Sequence, residues 1–352
     1  MSKKNIIGIQ QVGIGVNDVK QAWKWYRKAF GMDINIFEDT AVAKLMKHYT
    51  NGKECERYAA LAMNLEGGGG FEIWEHTGFK AQAPKFDVRL GDTGIFIVKM
   101  KCRDVAMAYQ YHEQMGCQLL SGIEKDPSGT AHYYLKDPYN NIFEVIHDTS
   151  HYKKQKSVTG GVLGVVVGVS DIDKALEVYA GILEYDVVEY DKNDFFDDFS
   201  GLPGGEEKYR RVLLKHRERS GAFSRLFGAT QIELVQALDR EPNYIFKDRI
   251  WGELGYIHVC FDMTGMNDLE KESAAKGYPF TANSADSFDM GVAAGHFAYI
   301  SDPDNTPIEF VETHKLPIVE KLGWYMKLQN RDPKKPLPNW MVNTVAWGRI
   351  KD

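Results

Sequence analysis

Apolar and polar positions along the chain alternate between two periods, and the alternation repeats four times. Ile6–Val16 is a β-branched, nearly continuous apolar run that predicts a buried strand. Asn17-Asp18 offers a helix N-cap, Val19, Ala22, Trp23, Tyr26 and Phe30 follow at helical spacing, and Gly31 stops the helix. Strand-like runs come next at Ile34–Glu38, Tyr58–Leu65 and Gly70–Glu75, the last two separated by the glycine run Gly67–Gly70, which reads as a hairpin turn. The pattern restarts at Gly94, with a strand over Ile95–Cys102, a helix capped by Asp104, and strands around Gln118–Ile123, His132–Leu135 and Ile142–Ile146. A third copy starts at Val162–Val169, is capped by Asp171, and includes strands Val187–Tyr190, Arg211–Leu214 and Gln231–Val235 around an acidic, aromatic loop, Asp191–Glu207. The fourth starts at Gly255–Phe261, with a helix over Asp268–Lys276, and ends in Ser301–Glu312.

The repeat extends to residue identity. Asp18 to Gly31 and Asp171 to Glu184 are equally spaced, and copies one and three end in F-E-I-W and I-E-L-V. Copies two and four share an Asp-Pro phrase, K-D-P-Y-N-N-I-F-E-V-I and S-D-P-D-N-T-P-I-E-F-V, in which a Glu falls seven residues after the Asp. Turn chemistry explains Asp, Pro and Asn; it does not explain a carboxylate inside an apolar strand, which is costly without a partner. The expected fold class is therefore α+β: four βαβββ modules in two homologous halves, with curled mixed sheets paired within each half and forming cup-shaped sites. The first domain is expected at 1–150 and the second at 158–314, with the polar, basic Asp148–Gly161 stretch as linker. Residues 315–352 form an aromatic extension holding Trp324, Tyr325, Trp340 and Trp347, expected to pack over the body or at a subunit interface, a homodimer included.

Composition narrows the function classes. A net charge of −6 leaves no basic footprint for nucleic acid. The longest apolar run is too short to cross a bilayer, and the N-terminus has no secretory signal pattern. Four scattered cysteines, Cys55, Cys102, Cys117 and Cys260, point to a reducing cytoplasm and to neither a disulfide scaffold nor a zinc knuckle.

Spacing to the helix caps makes Gln11, Ile97, Gly164 and His258 equivalent first-strand positions; the last-strand carboxylates are Glu72, Glu144, Glu233 and Glu309. With I-Q-Q-V-G-I-G-V-N-D, F-E-I-W-E-H, G-Y-I-H-V-C-F-D and D-P-D-N-T-P-I-E-F, the chain from Ile6 to about Thr313 resembles the vicinal oxygen chelate superfamily of glyoxalases, bleomycin resistance proteins and extradiol dioxygenases. That resemblance implies that one first-strand residue and one last-strand Glu from each of two modules converge on a divalent metal. Modules one and four together fill all four positions with ligand-capable groups, Gln11, Glu72, His258 and Glu309, the ligand set of animal glyoxalase I. Modules two and three offer Ile97, Glu144, Gly164 and Glu233, so the resemblance implies one live outer site and one degenerate inner site. In the degenerate set Glu144 and Glu233 are expected to be structural or substrate-facing.

An imidazole, an amide oxygen and two carboxylates suit zinc, nickel, cobalt or manganese. Beside such an ion a carbonyl's α-proton becomes acidic, and a carboxylate can take and return it; the resemblance assigns that role to Glu309, with Glu72 as alternative. Glyoxalase I holds glutathione partly through an Arg four residues after its Gln ligand. Here that position is Gly15, which argues against glutathione; the resemblance then implies a lyase or isomerase of a small carbonyl or hydroxy substrate, and the aromatic-rich sequence suits one of apolar or aromatic character. Two alternatives stand beside it: an extradiol dioxygenase using iron, disfavoured because the second His position is Gly164 or Gln11, and a metal-free binding protein of the bleomycin-resistance kind. His132 and His296, in the strands before the Asp-Pro turns, are expected in surface or packing roles, and His48, His76 and Tyr49 carry no spacing signal.

Overall fold

A computed structural model describes residues 4–285, 288–289, 294–319, 324–329 and 331–351. Module one is β1 (Asn5–Gly15), α1 (Val19–Phe30), β2 (Ile34–Val42), β3 (Glu56–Met63) and β4 (Gly70–His76). Module two is β5 (Gly94–Cys102), α2 (Val105–Gln114), the short β6 (Gln118–Leu119) and β7 (Glu124–Lys125), β8 (Ala131–Lys136) and β9 (Ile142–His147). Module three is β10 (Val162–Gly168), α3 (Ile172–Tyr179), β11 (Val187–Asp194), β12 (Tyr209–Lys215), a single turn α4 (Ser224–Phe227) and β13 (Gln231–Ala237). Module four is β14 (Gly255–Thr264), α5 (Met266–Ala275), β15 (Ala282–Asn283), β16 (Phe288–Asp289), β17 (Ala294–Ser301) and β18 (Pro307–Val319). Then follow β19 (Trp324–Lys327), α6 (Asn339–Val342) and a 3₁₀ segment at Asn343–Gly348.

Local chemistry starts the helices as their sequences predict. Asp18, Asp104 and Asp171 accept from backbone N–H groups of the first turns of α1, α2 and α3, and Gly31 closes α1 in the left-handed region. A second cap comes from the last strands. Three residues after the repeated Glu, Glu75 accepts from Val19 N at 2.6 Å, Gln236 from Ile172 N at 3.1 Å, and Glu312 from Gly265 N at 2.8 Å. The outer carboxylate of each E-x-x-E pair thus anchors a helix N-terminus to the sheet, which leaves the inner one, Glu72 or Glu309, without that role.

The sheets do not pair within the halves as the sequence suggested. One sheet, in the order β15-β17-β18-β14-β1-β4-β3-β2, joins modules four and one; the other, β11-β12-β13-β10-β5-β9-β8-β6, joins three and two. The first strands decide this. Strands β1 and β14 run antiparallel over their full length, as do β5 and β10, whereas each first strand is parallel to its own module's last strand. Within each half the two modules are instead joined through a helix and a turn. Tyr26 of α1 donates to Asp137 at 2.7 Å, and Tyr179 of α3 to Asp302 at 2.9 Å. Those aspartates are the Asp of the two Asp-Pro phrases, and each also accepts two backbone N–H groups of its own turn. Asn140 and Asn305 take the positive φ that these turns require.

Alternate residues of the central strands divide the interior. Val12, Ile14, Val98, Met100, Val165, Val167, Val259 and Phe261 enter one core shared by both sheets and the helices, while the intervening residues face the two cups. The stretch expected as a linker is built into the fold: Gly161 N donates to Gly67 O at 2.8 Å and Gly69 N to Val162 O at 2.9 Å, so the glycine run joining β3 to β4 is bonded to the entry of module three. The C-terminal extension begins inside the outer sheet, where β18 runs on to Val319 and β19 pairs with it. Beyond it, Leu337 and Val342 pack against Ile34, Met63, Leu226 and Phe227. The extension thus covers the body through aliphatic side chains. Trp340 and Trp347 stay exposed in the single chain, at 61 % and 71 %, and the side chains of Trp324 and Tyr325 lie outside the described residues.

If the Tyr–Asp bonds join the two modules of each half, Tyr179→Phe removes a hydrogen bond from a buried carboxyl and should cost about 1–3 kcal/mol in urea unfolding, with Tyr26→Phe similar. A loss within about 0.5 kcal/mol, as for an ordinary surface substitution, would show that the contact does not carry the interface.

Candidate metal centre in the outer cup

The register of four adjacent strands, β18-β14-β1-β4, builds the outer cup. Glu72 pairs across to Gly13, and Gly13 to His258; Glu309 pairs to Cys260, and Cys260 to Gln11. The two rows are related by a local two-fold between the antiparallel β1 and β14. Each Glu thereby comes within reach of the other module's first-strand residue.

His258 Nε2 lies 3.0 Å from Glu309 Oε2 and 3.3 Å from Glu72 Oε2. Ligand-type atoms of Glu72, His258 and Glu309 all lie within 4.8 Å of one another, so a single divalent ion could accept all three. The imidazole is fully buried, while both glutamates keep about a tenth of their side-chain surface exposed, toward the cavity. Gln11 lines the same cavity, and its Oε1 is buried without a hydrogen-bond partner among the described residues. A buried amide oxygen left unpaired is costly, and a cation between Gln11 and the three other side chains would satisfy it. The donor set of one imidazole nitrogen and three oxygens fits a borderline or hard divalent ion.

Burial alone would depress the His258 pKa, but the carboxylates of Glu309 and Glu72 outweigh it and lift it to about 9. Without a metal, an imidazolium therefore sits between the two carboxylates. Trp251 stacks on the ring, 12° from parallel at 6.0 Å, and Tyr299 meets it edge-on at 5.6 Å. Gly13 makes room for the ring: a Cβ at that position would lie 2.4 Å from His258 Cε1 and 2.6 Å from Nδ1. At Gly15 a Cβ would lie 2.0 Å from the carbonyl oxygen of Glu253, and at Gly168, its counterpart in module three, 1.9 Å from that of Asp92. Position 15 thus has no space for a side chain.

The cup opens into a cavity of about 390 Å³, of the size that takes a small organic ligand. Its walls are mostly apolar: Phe37, Leu61, Met63, Trp74, Phe227 and Trp251 among them. Phe223, Leu226 and Phe227 come from the β12–β13 connection of module three, and Val345 from the C-terminal extension. Neither contribution was visible in the sequence, since both lie in irregular segments outside the repeat. His296 Nε2 donates to Asn283 Oδ1 at 2.6 Å, and His76 contacts the carbonyl of Trp251 at 3.1 Å.

In the inner cup the four equivalent positions are Ile97, Glu144, Gly164 and Glu233, and the glutamates again converge. Lys99, which sequence reasoning passed over, stands between them, 3.0 Å from Glu144 and 2.5 Å from Glu233. His132, expected in a packing or surface role, is fully buried here, with Nδ1 2.9 Å from Glu144. The signal in the sequence was a pair of lysines, Lys99 and Lys101, in a strand whose other residues are apolar or glycine.

Comparison with known proteins bears on the fold that carries this site. Residues 8–145 match the family model described as Glyoxalase/Bleomycin resistance protein/Dioxygenase superfamily. A search of curated proteins returned no match. Among solved structures, glyoxalase I from Zea mays aligns with a TM-score of 0.54 at 15 % identity, over 88 % of this chain and 92 % of that one. A putative dioxygenase from Bacillus subtilis subsp. subtilis str. 168 aligns with a TM-score of 0.58 at 13 % identity, over 99 % and 98 %. At such identities the likeness establishes the shared fold and nothing of the reaction.

The close approach at Gly13 gives a direct test of the site. Gly13→Val should swing the His258 ring off β1, break its 3.3 Å contact to Glu72 and weaken divalent-ion binding at least about tenfold; a crystal structure of the variant with His258 unmoved would contradict the packing described. Residues 8–145 match the model of the glyoxalase/bleomycin resistance protein/dioxygenase superfamily, and the whole chain shares the fold of the solved structures named above.

Proposed function

We propose that the protein is a metal-dependent lyase or isomerase that moves a proton beside a carbonyl of a small apolar or aromatic substrate bearing two vicinal oxygens. The observation that carries this reading is the convergence of Glu72, His258 and Glu309 at the base of an apolar cavity, with the unpaired Gln11 amide beside them. Gln11, Glu72, His258 and Glu309 would hold the ion. Bound there, a divalent ion supplies a Lewis acid for the substrate oxygens and for the negative charge that develops as the α-proton leaves.

The protein's own groups supply the rest. Glu309 is the proposed base: it accepts the α-proton on a carboxylate oxygen; return to the adjacent carbon makes the reaction an isomerisation, and loss of a leaving group from that adjacent carbon makes it an elimination, with the proton passed from Glu309 to the leaving group or to solvent. Glu72, on the opposite side of His258, is the alternative base for the other face. Trp251 and Tyr299 fix the imidazole plane, and the apolar walls exclude water from the developing charge. Glutathione is disfavoured because the position of its arginine anchor, Gly15, has no room for a side chain.

The reading of a dioxygenase requires two histidines at the metal, and the cluster holds one. Metal analysis of protein purified without added metal separates the three readings. The proposal expects one equivalent of zinc, nickel, cobalt or manganese, lost in His258→Ala. It also expects Glu309→Gln to keep most of that metal while losing about 10²–10⁴ in kcat on the α-hydroxycarbonyl substrates it is offered. Stoichiometric iron with oxygen uptake on catechols would establish the dioxygenase; absence of metal from every preparation would leave the binding protein.

A further inference from the structure

The inner cup repeats the outer cup's geometry with a different occupant. Strands β10 and β5 correspond to β1 and β14, and the registers match residue for residue: Gly164 pairs with Lys99 as Gln11 does with Cys260, and Val166 with Ile97 as Gly13 does with His258. Glu144 pairs to Lys99 and Glu233 to Val166, as Glu309 pairs to Cys260 and Glu72 to Gly13. Both first-strand ligands are therefore replaced by residues that cannot coordinate, Ile97 and Gly164. The glycine that would admit an imidazole is Val166. In exchange, the position occupied by Cys260 in the outer cup carries Lys99.

All the groups around the Lys99 ammonium are buried. It touches Glu144 Oε2 and Glu233 Oε2, with side-chain exposure 0 % for all three. The remaining carboxylate oxygens are also taken. His132 reaches Glu144, and Arg211 Nε and Tyr190 OH donate to Glu233. Arg211 also binds Asp198 at 2.7 Å and 2.9 Å. Phe196, Phe199 and Tyr134 fill the cup above them, where the outer cup has its cavity. Burial alone would lower the Lys99 pKa, but Glu144 and Glu233 outweigh it and keep the amine charged.

We propose that the inner cup is a cation site whose resident cation is the Lys99 ammonium. The fold brings two glutamates together in each cup and each pair needs a positive charge; the inner half supplies it as one of its own side chains. The inner cup is thus closed to divalent ions while the register that creates such sites is retained.

The test compares His258→Ala with His258→Ala/Lys99→Ala, so that the inner cup is read whether or not the outer cup takes a metal. Manganese(II) chloride at millimolar concentration should raise the melting temperature of the double variant by about 3 °C or more over its response in the single variant, through binding to the folded state. An equal response in both variants would overturn the proposal. Should the double variant not fold alone, refolding with and without manganese replaces melting: recovery only with the ion supports the proposal, and recovery in neither condition overturns it. In the otherwise native chain, Glu144→Gln should leave metal content unchanged. Loss of an equivalent there would place a metal in the inner cup and overturn the proposal independently.

Discussion

The antiparallel ladder between β1 and β14 is the constraint on which the rest of the structure depends. It joins the two ends of the chain, since Gly13 pairs with His258 and Gln11 with Cys260. Because each first strand is also parallel to its own last strand, the ladder converts two separate strand carboxylates into one pair, Glu72 and Glu309, facing a common point. Two carboxylates brought this close in a buried cup repel each other, and a positive charge between them offsets the repulsion. Without a metal, His258 provides it as an imidazolium; in the inner cup Lys99 provides it permanently. The same backbone geometry therefore yields an openable and a sealed site; the four paired first-strand positions differ between them, and Phe196, Phe199 and Tyr134 fill the inner cup.

Most of this fold was legible because its modules repeat. Hydrophobic periodicity located the strands and helices, the three Asp caps were readable as such, and the match between the Asp-Pro phrases revealed the modular plan. The strand pairing was not legible in the hydrophobic pattern, because parallel and antiparallel neighbours of a fully buried strand carry the same apolar pattern; only the ligand set, through the resemblance, pointed to modules one and four. Nothing in Ile6–Val16 says whether its partner is 90 or 250 residues away. The role of the Asp-Pro phrase was also only half visible: its turn chemistry is local, but the tyrosine that locks it, Tyr26 or Tyr179, comes from another module.

Site residues divided in the same way. Gln11, Glu72, His258 and Glu309 could be assembled from repeat positions, since chemistry at equivalent places in a repeat stands out from its apolar surroundings. Lys99 was overlooked because it occupies no ligand position of the repeat; it stands two residues on, where the outer cup has Cys260. Gly13 was unremarkable in sequence and is understood only once the His258 ring is seen lying over it. The apolar wall from Phe223 to Phe227, and Val345 from the extension, arrive from outside the module plan. They give the cup an apolar character that neither strand pattern implied.

The most direct measurement is anomalous diffraction from crystals soaked in manganese or zinc. The account predicts one peak per chain, in the outer cup, within bonding distance of Gln11 Oε1, His258 Nε2 and carboxylate oxygens of Glu72 and Glu309, at about 2.0–2.2 Å for zinc, and none between Glu144 and Glu233. A peak in the inner cup, or an outer cup that stays empty with His258 still bridging the two glutamates, would contradict it.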